Sequence, residues 1–148
     1  MSKQMVITSL EDLVPNTHIY RKFMNLWNFE GVRKYLKKIE KDNNYKGYRA
    51  YRLFKCLLLQ FFEDLSDREL ERYLIENNAG KWFCDFDLTE KTPDHTVFSK
   101  MRARIGTKLL SEIFADLRDQ LRSQGYMNSN SRRMITEAII AEKLVGKK

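Results

Sequence analysis

Leu65-Ser66-Asp67-Arg68-Glu69-Leu70-Glu71-Arg72-Tyr73-Leu74 and, further along, Thr92-Pro93-Asp94-His95-Thr96-Val97-Phe98-Ser99-Lys100-Met101-Arg102 each open on a helix start signal. In the first stretch Ser66 is placed to accept from the backbone N–H of Glu69 while the Glu69 carboxylate reaches back to Ser66, the reciprocal capping box. In the second, Pro93 fixes the turn, and Thr92 or Asp94 can accept the orphan N–H groups of a new helix. The two stretches together read as the arms of a helix-turn-helix. A basic, hydroxyl-bearing face on the second arm points to contact with DNA.

Outward from this pair, apolar residues keep helical spacing over most of the chain. Ile19, Phe23, Leu26 and Trp27 predict a helix over about 17–26 that follows a turn-like lead-in ending at Pro15. Val32, Tyr35, Leu36 and Ile39 predict another over about 29–41, with Arg33, Lys34, Lys37, Lys38 and Lys41 outward. The stretch 48–65 carries Tyr51, Phe54, Leu57, Leu58, Phe61, Phe62 and Leu65 on a face widened by Ala50, Leu53, Cys56 and Leu59. So broad an apolar face predicts the central helix of a bundle, with Arg49, Arg52 and Lys55 as a basic edge.

After a helix over 66–76, Asn77-Asn78-Ala79-Gly80 reads as a stop, with Trp82-Phe83 docking back on the core. The 94–105 helix turns Val97, Phe98, Met101 and Ile105 inward and ends near Gly106. A last helix over 107–123 aligns Leu109, Leu110, Ile113, Phe114, Leu117 and Leu121 before Gly125. The loop chemistry of 128–133 then leads into a strand-like run, 134–141, that has nothing to pair with. The expected fold is all-α, a multi-helix bundle containing a helix-turn-helix-like unit, with a short unpaired C-terminal strand or disordered tail. Residues 1–126 form the helical DNA-binding domain of that reading, and 127–148 a linker and the start of a second domain.

A chain of 148 residues with 43% hydrophobic and 32% charged residues suits one soluble domain. The net charge of +7 is unevenly spread. Residues 16–56 carry eleven Lys or Arg against three Asp or Glu, residues 57–120 nine against thirteen, and residues 121–148 six against two. Basic ends around a mildly acidic centre suit a polyanion held by part of the surface. Cys56 and Cys84 read as small buried hydrophobes, and with no signal peptide or spanning segment the expected location is the cytoplasm, at the nucleoid. His18 and His95 stand apart from any ligand-spaced cysteine or carboxylate, so no zinc site is expected. No phosphate-cradling loop and no nucleophile–base arrangement occurs in the first 130 residues, so neither an enzyme site nor a small-molecule substrate is expected.

The candidate site lies on the 94–105 helix, where His95, Thr96, Ser99, Lys100, Arg102 and Ala103 face outward. Thr96, Ser99 and Lys100 occupy the first turns, where a recognition helix meets base edges, and Arg102 or Arg104 is long enough to reach phosphate. The second candidate is the basic face Arg33, Lys34, Lys37 and Lys38 with Arg49, Arg52 and Lys55, which suits counterion release without reading sequence.

The order Leu13-Val14-Pro15, His18 and Arg21, the long apolar helix, Leu65–Leu70, Trp82-Phe83-Cys84, Pro93–Ser99 and Arg102-Ala103-Arg104 resembles the leading domain of bacterial insertion-sequence transposases, in the InsH-like branch of the DDE class. The resemblance implies an all-helical domain that binds the terminal inverted repeats of the element and precedes an RNase H-like catalytic domain using Mg²⁺. It sets Glu137, in Thr136-Glu137-Ala138-Ile139, where the family's first metal-binding Asp stands, with both the Asp and the Thr of that motif replaced. The expectation is therefore a truncated transposase that binds double-stranded DNA, holds no cofactor of its own, and does not cut. Two alternatives accompany it. One is an oligomerisation module that pairs with itself or a full-length transposase through the 107–123 helix. The other is a small helix-turn-helix regulator.

Overall fold

A computed structural model describes residues 7–26, 32–33, 36–37 and 50–123. Six helices are defined there: α1 (Leu10–Leu13), α2 (Ile19–Leu26), α3 (Ala50–Glu63), α4 (Asp67–Glu76), α5 (Asn78–Phe83) and α6 (His95–Ser123). No strand occurs among the described residues, and the fold is all-α. The strand-like run 134–141 and the linker 128–133 lie outside the described residues, as do Trp27, Tyr35, Ile39 and Glu137 and the side chains of Leu26, Leu117 and Leu121.

The central place expected of the long apolar helix is the one α3 takes. Nine of its fourteen residues are buried, too many for one face, so neighbours cover it nearly all round. Phe54, Leu58, Leu59 and Leu53 are wholly enclosed, together with Phe23 of α2, Leu70 and Leu74 of α4 and Phe98 and Met101 of α6, and Phe83 of α5 is buried beside them. Each such side chain removed from water contributes about 1.5–3 kcal/mol. Val32 and Leu36, one turn apart and both helical, join the same core.

Local chemistry sets the element ends. Ser66 Oγ accepts from the Glu69 N–H at 3.2 Å and Glu69 Oε1 accepts from the Ser66 N–H at 3.0 Å, completing the capping box. Asp94, rather than Thr92, caps α6: its Oδ1 accepts from the N–H groups of Thr96 at 2.9 Å and Val97 at 3.3 Å. The stretch expected to stop the chain at 77–80 instead starts a helix. The Asn77 N–H donates to the Tyr73 carbonyl at 2.8 Å, closing α4, while its side-chain oxygen accepts from the Gly80 N–H at 2.8 Å, opening α5. The lead-in is one helical turn, α1, seated on α5.

α6 is two helices run together. Gly106 sits at φ 81° and ψ 155°, outside helical geometry, where the sequence places its break. That region is open only to glycine without strain, and a Cβ there would meet no atom within 4 Å. Gly106→Ala is therefore expected to destabilise through backbone strain alone, by about 1–3 kcal/mol, read as a lower urea midpoint. An unchanged midpoint would show that the kink relaxes freely.

Candidate nucleic-acid interface

The two arms lie against each other, held by polar contacts at the edge of the core. Asp67, first residue of α4, accepts two hydrogen bonds from the Arg102 guanidinium, both at 2.6 Å, one at each carboxylate oxygen. The Gln60 amide donates to Asp67 Oδ1 at 2.8 Å and the Ser99 hydroxyl to Oδ2 at 2.9 Å. One turn further along α4, Glu71 Oε1 accepts from the His95 N–H at 2.8 Å and lies 3.1 Å from His95 Nδ1. As α4 ascends from 67 to 71, α6 descends from 102 to 95, so the two helices run antiparallel. Residues 77–94, with α5 among them, join the two arms, in place of the short turn of a simple helix-turn-helix.

Electrostatics follow this geometry. The Arg102 guanidinium, helped by Gln60 and Ser99, holds the Asp67 carboxyl far below the usual range, and Asp67 in turn raises Arg102. The hydrogen bonds from His95 lower Glu71 in the same way.

This sorts the sequence candidates on α6. Thr96, Ser99, Lys100, Ala103 and Arg104 are exposed, as expected of an outward face. His95, Ser99 and Arg102, however, face α4 and spend donors on it. The Thr96 hydroxyl donates to Asp94. Lys100 forms no hydrogen bond or ion pair among the described residues.

Two residues of the basic edge expected on α3, Arg52 and Lys55, are engaged within the fold. Lys55 is 2% exposed, its Nζ 3.1 Å from Asp85 and over the rings of Tyr51 and Phe83. Arg52 pairs with Glu90 at 2.6 Å and lies over Phe86. Both cations tie α3 to the segment before α6, a use that their apolar-helix spacing does not reveal. Arg33 is exposed over the Tyr51 ring at 4.2 Å, and Lys37 is exposed. Lys34, Lys38, Lys41 and Arg49 lie outside the described residues.

The last segment of α6 packs on the bundle: Ile113 is fully buried, and Leu109, Leu110 and Phe114 rest against the core. Cys56 and Cys84 are free and buried, and burial pushes the Cys84 thiol up, away from reactivity. Among the described residues no group of three or more His, Cys, Asp or Glu is placed to hold a metal ion, and no helix is long and apolar enough to cross a membrane.

Compared with known families, residues 8–104 match the model of the family described as Transposase domain (DUF772). No curated protein and no solved structure matches the chain.

Because Asp67 ionises more readily folded than unfolded, its contribution is fully present above about pH 4 and is lost as pH falls below that. Asp67→Asn is expected to unfold at a higher urea-free pH midpoint less steeply than wild type, and to cost roughly 1–3 kcal/mol at neutral pH through its charged hydrogen bonds. Identical acid-unfolding curves for the two proteins would show that the Asp67–Arg102 pair contributes nothing to stability.

Proposed function

The chain belongs to the transposase-domain family (DUF772), whose model covers residues 8–104, and on that premise we propose that it binds the terminal inverted repeats of an insertion element through α6. The observation that carries this reading is the exposed face on the first half of α6, which presents Thr96, Lys100 and Ala103 on a helix braced from behind by Asp67 and Glu71. A helix with short hydroxyl, small apolar and long cationic groups on one exposed side suits the major groove, where bases offer acceptors and thymine a methyl group. Bracing matters because discrimination requires donors held in place before the DNA arrives. In this reading residues 1–126 are the DNA-binding domain, and binding rather than cutting is their task.

A selection from random duplex DNA at near-physiological salt tests it. Wild type is expected to enrich one motif, and Thr96→Ala/Lys100→Ala to lose discrimination by roughly 1–3 kcal/mol for each bidentate base contact removed. Motif-free binding that the double variant leaves unchanged would overturn base reading by α6. Added Mg²⁺ or Mn²⁺ is expected to produce no nicking of the selected duplex. Nicking abolished by Glu137→Ala would instead make the chain a nuclease.

A further inference from the structure

Arg68 and Arg72 of α4 are both exposed, and neither forms a hydrogen bond or ion pair among the described residues. Their position relative to α6 follows from the contacts between the arms. Asp67 and Glu71 face α6, and Arg68 and Arg72 each come one residue later, a turn of about 100° around the helix. On α6, His95, Ser99 and Arg102 face α4, and Thr96, Lys100 and Ala103 likewise come one residue later. Because the helices are antiparallel, the same step swings both sets to the same side of the pair. Leu70 and Leu74 on α4, and Phe98, Met101 and Ile105 on α6, turn to the opposite side, where they are buried.

We infer that Arg68 and Arg72 are a phosphate clamp for the same duplex that α6 reads, so that the DNA surface is composite, with α4 gripping the backbone and α6 facing the groove. This rests on the DNA-binding reading above. The level of the contacts along the pair supports it: Arg68 follows the residue that meets Ser99 and Arg102, and Arg72 follows the residue that meets His95. The two guanidiniums therefore run alongside Lys100 and Thr96 rather than beyond either end. An arginine fork offers paired donors that match phosphate oxygens. On the far flank of α4, Glu69 and Glu76 line a shallow groove with Arg68, Arg72, Tyr73 and Leu65.

The test titrates the selected duplex and a random duplex between about 50 and 200 mM salt with wild type, Arg68→Gln/Arg72→Gln and Arg68→Lys/Arg72→Lys. Loss of two phosphate contacts is expected to weaken both duplexes by the same factor and to flatten the log–log salt slope by about 1.8, at about 0.9 for each contact. The lysine pair is expected to retain most of the slope. Circular dichroism of all three proteins should coincide, since the side chains replaced are exposed. A slope unchanged in the glutamine pair, with motif preference intact in wild type, overturns the clamp and leaves the α6 reading standing. A glutamine pair that enriches a different motif also overturns it, because the arginines would then read bases. Wild type that shows neither motif preference nor salt dependence removes the DNA reading itself, and the clamp with it.

Discussion

The Asp67 carboxylate is where three helices agree on their register. Its two oxygens take four donor groups, the paired nitrogens of Arg102, the Gln60 amide and the Ser99 hydroxyl, from α3 and α6 while it heads α4. Paired guanidinium–carboxylate bonds are stronger and more directional than single neutral ones. Leu70 and Leu74 stand three and seven residues beyond Asp67, so the register that satisfies the carboxylate is the one that sends both leucines into the core. A one-residue slip of α4 would leave a half-buried charge without donors and turn those leucines toward water. The same contact that fixes α6 also uses up Arg102, so firm placement of the exposed face is obtained by withdrawing a cation from it.

That exchange recurs on α3 and changes what the charge count means. Residues 16–56 are the most basic part of the chain, but Arg21, Arg52 and Lys55 are all committed within the fold. Burying the Lys55 ammonium carries a desolvation cost, offset by Asp85 and by the faces of Tyr51 and Phe83. In return α3 holds the segment 85–90, with Phe86 buried, in the place that lets Pro93 and Asp94 start α6 beside α4. Charge available to a polyanion is thus smaller than the sequence total and lies on different residues.

What the sequence makes legible here is local chemistry. The capping box at Ser66 and Glu69, the break at Gly106 and the inward set Val97, Phe98, Met101 and Ile105 all depend on neighbours within about a turn, so spacing alone reveals them, and it narrows the α6 cap to Thr92 or Asp94. The α5 helix escapes such reading because Asn77 does two jobs at once, and a run rich in Asn and Gly looks like a stop when only one is considered. The partners of Arg102, Ser99 and Lys55 escape it for another reason. Periodicity shows that a residue faces away from the core, but not that a carboxylate 35 or 30 positions distant waits there. The candidate face on α6 was legible as a face, whereas the donors already spent on that face, and the arginines beside it on α4, required the packing.

The scattered residues that carry the family resemblance are mostly scaffold. Arg21 donates from Nη1 to the Glu11 carboxylate at 2.6 Å, from Nη2 to the Glu11 and Val14 carbonyls, and from Nε to Val14 again. Its guanidinium lies 4.5 Å over Trp82, whose Nε1 closes the circuit by donating to the other Glu11 oxygen at 2.7 Å. Only a planar fork of five donors can serve this set while stacking on an indole, so lysine is no substitute. Val14, Arg21 and Trp82, far apart in sequence, are therefore one structural clasp joining α1, α2 and α5. Pro93, Asp94 and Arg102 likewise build and brace α6. A signature composed largely of scaffold residues identifies a fold and its family, and says little about what the exposed surface recognises. On the proposed reading, that choice falls to the few exposed positions that the scaffold leaves unspent, Lys100 and Ala103 foremost, where a substitution changes what meets the groove without disturbing what holds the helix.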